Sequence, residues 1–400
     1  MNVFSIVTAF FFSLTVIIFA SCENKNKHPD ITQFPAEQDI DHIADLNDPD
    51  LKFFPGIFPK DTLEFVAEIT DPNSDYSYDG MLLYNSRILI DHNNNIYVQD
   101  GANTIVVYDS TGHFQYSIGR PGRGPGEFLR LFSFDFNSNF SKLYALDAFE
   151  IEEFELINGK YEYKKSYIHG LVMVEDICVL ENNLYISGFN SSPPDSASNS
   201  ISDLLNSPIS QFRITPFEFQ NTFGYTYKSY HDWNSFNRAM SKSKLACNEQ
   251  TQTVVEQKLH FPFMFGYTPE GERKWISKFE NFIHTEFTET SEPILFESNQ
   301  SYFHRIYPFK ELNNSPYEML QIGYHYPFSY LNAKANTNTP QPSKPTLPHP
   351  IHRTILVNTE NGKLSYSENY SLIGALKDKM QVMIDVVDSV NYQNRIVLYE

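Results

Sequence analysis

Residues 88–128 read ILIDHNNNIYVQDGANTIVVYDSTGHFQYSIGRPGRGPGEF, and their reading decides the fold class. Four short runs of β-branched and aromatic residues, 87–90, 96–99, 104–108 and 114–118, are separated by turns built from Asp, Asn and Gly. Branched and flat side chains pack well on a pleated surface, and Asp, Asn and Gly settle into tight turns, so the stretch predicts four consecutive strands.

The unit recurs along the chain. IDHNNNIYVQD, FDFNSNFSKLYALD and LENNLYISG each place a polar, Asn-containing turn before a strand centred on a tyrosine, Tyr97, Tyr144 and Tyr185. These tyrosines lie roughly 40 to 50 residues apart, the period of propellers and solenoids. A second signal lies in YDSTGHFQYS, LINGKYEYKK, TPEGERKWIS and TENGKLSYSE, where Gly112, Gly159, Gly271 and Gly362 sit at hairpin tips. The gaps before Gly271 and before Gly362 are about twice the period, each with room for one degenerate unit, which brings the count to six. The expected fold is therefore all-β: a β-propeller of six blades, with seven as the alternative, each a four-stranded antiparallel sheet. The best helical signal runs over 371–383. The Ser/Asn/Pro-rich 190–208 and the proline-rich 331–350 read as loop insertions.

Residues 88–128 resemble the six-bladed β-propeller lipoproteins of Bacteroidetes, related to NHL-repeat propellers. The match is carried by Asp91, Ile96 to Val98, Asp100, Tyr108 to Gly112 and Gly119 to Phe128. The resemblance implies the fold; it assigns no activity, because propellers host lyases, hydrolases and binding modules alike.

The glycine-rich Gly119, Arg120, Gly122, Arg123, Gly124, Gly126 and Glu127 admit two readings. Backbone N–H groups beside two arginines form an anion nest. Glycines alternating with Pro121 and Pro125 equally describe a tight crossing between two blades, with Glu127 capping backbone donors and Phe128 entering the next blade. No Lys-Ser/Thr follows, so the segment is not a P-loop. The second reading is favoured, with Gly124 and Gly126 expected at positive φ or in close contacts.

Other motifs point weakly to chemistry. Asp91-x-Asn93-x-Asn95 and Asp135-x-Asn137-x-Asn139 alternate oxygen donors as a Ca²⁺ loop does, but Ile96 and Phe140 stand where such a loop needs glycine, so turn chemistry is expected. His304, His325, His349 and His352 show no His-x-x-x-His spacing, and no Gly-x-Ser-x-Gly elbow occurs. The catalytic residues and metal ligands are thus unassigned, and no cofactor is expected beyond a covalent lipid, with Ca²⁺ as the alternative. The aromatic run 217–236 supplies rings for sugar stacking or, more simply, for packing between blades. Cys178 and Cys247 read equally as a disulfide pair or as two buried small hydrophobes.

The N-terminus is apolar from Val3 to Ala20 and ends in Phe19-Ala20-Ser21-Cys22, which resembles a lipobox. Residues 1–21 are expected to be a signal peptide, Cys22 the lipidated first residue, 22–50 a polar tether and 51–400 the propeller; an uncleaved membrane span is the alternative. With 30 Lys and Arg against 49 Asp and Glu, the net charge of −19 excludes nucleic acid as a partner. Two functions are expected from this reading. The first is a non-catalytic outer-membrane lipoprotein that binds an envelope protein, peptide or glycan on its loops. The second is a propeller lyase or hydrolase with a divalent cation in its channel.

Overall fold

A computed structural model describes residues 35–45, 64–69, 87–101, 103–190, 207–227, 237–238, 240–280, 301–307, 317–324, 353–367, 372–375, 381–388 and 393–399. Two strands, β1 (His42–Asp45) and β2 (Phe65–Glu68), precede the first complete blade. Blade 1 comprises β3 (Ile88–Ile90), β4 (Ile96–Asp100), β5 (Thr104–Tyr108) and β6 (Phe114–Ile118). Blade 2 comprises β7 (Ser133–Phe136), β8 (Lys142–Leu146), β9 (Glu150–Ile157) and β10 (Lys160–Ile168). Blade 3 comprises β11 (Leu171–Leu180), β12 (Asn183–Asn190), β13 (Ile209–Arg213) and β14 (Glu218–Phe223). Blade 4 comprises β15 (Ser243–Asn248), β16 (Thr253–Lys258), β17 (Phe263–Tyr267) and β18 (Arg273–Glu280). Blade 5 comprises β19 (Ser301–Tyr307), β20 (Tyr317–Tyr324), β21 (Arg353–Asn358) and β22 (Leu364–Ser367). Blade 6 adds β23 (Leu372–Ala375), β24 (Gln381–Asp388) and β25 (Gln393–Tyr399).

The described strands form six sheets, so the chain is a six-bladed propeller and not a seven-bladed one. The first strands of neighbouring blades lie against one another, β7 on β11, β11 on β15, β15 on β19 and β23 on β3, and they line the centre. The ring is closed by sequence ends: β2 pairs antiparallel with β25 and supplies the fourth strand of blade 6. Because direction reverses at each step within a blade, the turns between second and third strands share one end of the molecule with the crossings between blades. We call this the crossing end.

The repeated tyrosines explain why the blades stack. Tyr97, Tyr144 and Tyr185 occupy the second strands of blades 1 to 3 and are buried. The Tyr97 ring packs edge-on to Phe136 and Tyr161 of blade 2, and its hydroxyl donates to Asp91 Oδ2 at 3.0 Å, tying the ring to the turn that precedes it. Tyr185 donates to the Pro269 carbonyl of blade 4. Phe128, Phe134 and Phe154 complete the core between blades 1 and 2, each contributing about 1.5–3 kcal/mol when fully buried. Gly112, Gly159, Gly271 and Gly362 join third to fourth strands, all at positive φ between 80° and 91°.

Several expectations are corrected. The gap before Gly271 does hold a further blade, blade 3, whose third-to-fourth turn runs through Thr215 and Pro216 without glycine. The gap before Gly362 holds none: blade 5 follows blade 4 directly, and the sixth blade lies after Gly362, completed by β2. The helix expected over 371–383 is instead β23 and the start of β24, because pairing within the closing blade overrides local helical preference. Within the stretch 22–50 expected as a tether, His42–Asp45 instead form β1, which pairs parallel with β18 as a fifth strand of blade 4, and Ala44 enters the core there; 22–34 and 46–50 lie outside the described residues. Asp41 clamps this strand, its carboxylate accepting from the Ile276 N–H at 2.8 Å. Cys178 and Cys247, left open above, form a disulfide between β11 and β15.

Candidate functional site

Two blade-to-blade crossings at the crossing end are described in full and a third, from blade 3 to blade 4, in part, since 228–236 and 239 lie outside the described residues; each is pinned by a buried or self-satisfied polar group. In the first, Gly119 to Phe128, the Glu127 carboxylate accepts from the Arg123 and Gly124 N–H groups at 3.0 and 2.8 Å and from Arg120 Nε at 2.7 Å. The bond from Gly124, then the one from Arg120, holds this carboxyl below its ordinary value. The backbone donors of the nest therefore receive an anion from the chain itself. Gly119 and Gly126 take φ of +70° and +71°, and a Cβ on either would strike Phe128 or Tyr163. Gly124, expected at positive φ or in a close contact, meets the second condition: a Cβ there would lie 3.1 Å from the Glu127 carboxylate. Gly122 is crowded by the same carboxylate. Phe128 is fully buried between blades 1 and 2.

Downstream, Asp147 caps the same crossing by accepting from the Leu129 and Arg130 N–H groups at 3.2 and 2.6 Å. The second crossing turns on His169. Its Nδ1 accepts from the Leu171 N–H at 3.0 Å, which leaves the proton on Nε2 to donate to the Asp147 carbonyl at 3.2 Å. Burial lowers the His169 pKa, in keeping with a neutral ring. The third crossing is held by Glu256, whose Oε2 accepts from the Tyr225 N–H and the Tyr267 hydroxyl, and by Lys258, which donates to the Ser241 carbonyl and to Glu256.

On the inner strands, buried side chains of four blades meet. Arg87 precedes β3, Ser133 opens β7, Asp176 lies in β11 and Leu245 in β15. Arg87 lies 3.5 Å from Asp176, which also accepts from the Ser133 hydroxyl at 2.5 Å and the Leu245 N–H at 2.9 Å. Beside them Glu175 bridges Lys242 at 3.2 Å and Lys244 at 3.0 Å. Burial would raise the Glu175 carboxyl, but Lys244 and then Lys242 outweigh it and hold it below its ordinary value. Burial, reinforced by Lys242, lowers His260 to about 4.

Large apolar side chains are exposed on the same end. Phe149, in the turn between β8 and β9, is 65% exposed, and Ile168, closing β10, is 75% exposed. Leu129, Val172 and Met173 join them. Met173 sits at the irregular pairing of β11 with φ of +54°, a left-handed conformation that costs an L residue about 1–2 kcal/mol.

The remaining candidates fall out differently. The Asp91 carboxylate is filled by the Asn93 and Asn95 N–H groups, the Asn95 amide and the Tyr97 hydroxyl, and Asp135 accepts from Val179 of the next blade. Asn137 and Asn139 bond within their own turn. Of the aromatic run, Phe217 stacks on Phe212 and Tyr167, Tyr225 on Phe265 and Tyr227 on Phe261, as packing between blades requires. Among the described residues no three His, Cys, Asp or Glu side chains form a metal-holding group. Cys22, His325, His349, His352 and most of both insertions lie outside the described residues, and His304 is described only as backbone in β19. Both insertions interrupt a second-to-third turn, in blades 3 and 5, so the strands flanking them end at the crossing end. Sequence reasoning missed Arg87, Asp147, Asp176, Glu175, Lys242, Lys244, Glu256 and Lys258. They carry no local motif, and Arg87 and Asp176 are 89 residues apart.

Comparison with known proteins agrees with this architecture. Residues 78–229, which take in blades 1 to 3, match the family DUF5128, described as a 6-bladed beta-propeller. No curated protein matches the sequence. A crystal structure of a DUF4221 family member from Bacteroides vulgatus is similar over 84% of this chain and 97% of that one, with 9% identity and a TM-score of 0.50. A protein of Bacteroides fragilis described as exported aligns over 84% of this chain and 94% of its own, with 13% identity and a TM-score of 0.46. The chain is a six-bladed β-propeller, similar over its first three blades to DUF5128.

Proposed function

We propose that this protein is a non-catalytic binding propeller of the cell envelope, exported, lipid-anchored through Cys22, and engaging an envelope partner at its crossing end. The observation that carries the reading is the exposure of Leu129, Phe149, Ile168, Val172 and Met173 on the one end where the crossings are rigidly pinned. Exposed apolar side chains clustered on a rigid frame mark binding surfaces. The charged groups of the inner strands support binding over chemistry, because Arg87 with Asp176 and Glu175 with Lys242 and Lys244 are consumed in pairs. The Cys178–Cys247 disulfide fits an oxidising compartment, as export requires.

The test places a photo-crosslinking residue in the full-length protein in cells, at position 149 or at Thr111 on the opposite end. Crosslinked species at 149 and not at 111 are expected, together with loss of membrane retention on Cys22→Ala. Equal crosslinking at both positions would remove the assignment of the site, and retention unchanged by Cys22→Ala would remove the anchor.

A further inference from the structure

Resting on that reading, we infer that the crossing end of blades 1 to 3 takes a protein segment that presents an apolar side chain flanked by carboxylates. The exposed apolar residues of this end are carried on one bonded stretch of backbone. The Asp147 carboxylate holds the backbone of Leu129 and Arg130, the His169 ring bonds the Asp147 carbonyl, and the His169 N–H donates to the Phe149 carbonyl at 3.4 Å. Ile168 pairs across to Glu150, the next residue after Phe149, and Val172 and Met173 follow within one turn of chain. These side chains are therefore presented by backbone that is bonded together, so a partner meets them without first ordering them.

Arg120, Arg123 and Arg130 all lie in the crossing beside this set. The protein carries −19, yet the acids beside the patch are satisfied from within: Glu127 by Arg120 and two backbone N–H groups, Asp147 by two more, and Glu152 by Ser166. Glu150 is the acid of the patch that makes no such bond. Against it stand Arg123 and Arg130, both exposed, with Arg130 spread over the Phe132 ring at 4.6 Å and neither paired with a carboxylate among the described residues. An exposed guanidinium beside an apolar surface suits a carboxylate carried on a peptide, through charge-assisted bonds that two nitrogens share. A second copy of this chain is disfavoured, since two bodies of −19 repel and a twofold contact would set arginine against arginine. An anionic bilayer meets the same repulsion from the rest of the body.

The experiment uses the full-length acylated protein in lipid nanodiscs and two labelled peptides that share a Leu-Phe-Leu centre, one flanked by aspartates and one by lysines. The aspartate peptide should bind at least about tenfold more tightly. Phe149→Ser with Ile168→Ser should weaken it by about tenfold or more, and Arg123→Glu with Arg130→Glu should reverse the preference between the peptides. Equal binding of the two peptides, no binding of either, or a preference untouched by the arginine reversal overturns the proposal. An environment-sensitive probe at position 149 that reports burial in the nanodisc lipid would instead assign the surface to the membrane. Face-specific crosslinking in cells with failure of the aspartate peptide would leave the binding reading standing and the chemistry of the partner wrong.

Discussion

Glu152 shows how far a single residue at the crossing end departs from its behaviour in water. It lies in β9, 2% exposed, accepting from the Ser166 hydroxyl at 2.8 Å. Burial raises its carboxyl from 4.5 to about 7, and the bond from Ser166 recovers only part of the loss. Between those values the folded protein keeps a proton that the unfolded chain releases. The stability from this group is therefore complete below about 4.5 and drains away as pH rises through about 7. Glu152→Gln keeps the shape and an acceptor for Ser166 but cannot ionise. Relative to wild type it should gain stability between about pH 5 and about pH 8, by up to about 3 kcal/mol. Chemical denaturation of both proteins at the two pH values reads the difference, and a difference that does not change with pH removes the assignment. Glu152 itself could not be singled out in the sequence. In EIEEFELI it is one acid among several, and only the fold puts Ser166 and Gly126 beside it. Asp91 and Tyr97 are the opposite case, legible because both ends of their contact lie in one repeated turn and strand.

At the scale of elements, what could be read was whatever a blade states locally. The four strands of blade 1 fall within a residue of their expected bounds, and all four hairpin glycines sit at positive φ. What could not be read depends on partners far along the chain. Leu372–Ala375 looks helical until β24 offers it a ladder, and His42–Asp45 looks like tether until the edge of β18 accepts it. The first crossing was legible because its solution is local: Glu127 bonds within the segment that carries it. That locality makes it testable. Gly126→Val forces a branched residue into φ of +71° with its Cβ 2.9 Å from Tyr163, and should lower stability by about 1–3 kcal/mol. Arg120→Gln with Arg123→Gln should cost on the order of 1 kcal/mol or less, because both side chains are exposed. The reverse ranking in thermal melts, or a melting temperature that rises with phosphate in wild type and not in the arginine variant, would return the segment to the anion-binding reading.

For the whole molecule the problem is holding a ring closed, and the chain uses two devices of different kinds. At the sequence ends, β2 is zipped to β25 by a backbone ladder. On the opposite side of the chain's path, the Cys178–Cys247 disulfide joins the first strands of blades 3 and 4, next to the buried meeting of Arg87, Ser133, Asp176 and Leu245 that draws blades 1 to 4 together. The two are not equivalent thermodynamically. The ladder acts on the folded state, whereas the disulfide restrains the unfolded chain, across a sequence separation of 69 residues. In the chain-entropy account a loop of that size is worth about 4 kcal/mol. Cys178→Ser with Cys247→Ser should therefore lower stability by roughly that amount, less whatever strain the bridge imposes, plus a cost for two buried hydroxyls of about 1–3 kcal/mol each if they find no partners. Cys178→Ala with Cys247→Ala separates the two contributions, because it removes the bridge without burying a polar group. Denaturant unfolding of the wild type with and without a thiol reductant supplies the matching measurement. If the bridge acts on the unfolded chain, the reduced wild type should fall close to the alanine variant. A reduced wild type that unfolds at the same midpoint as the oxidised protein would show that the central meeting of blades 1 to 4 holds the inner strands without it.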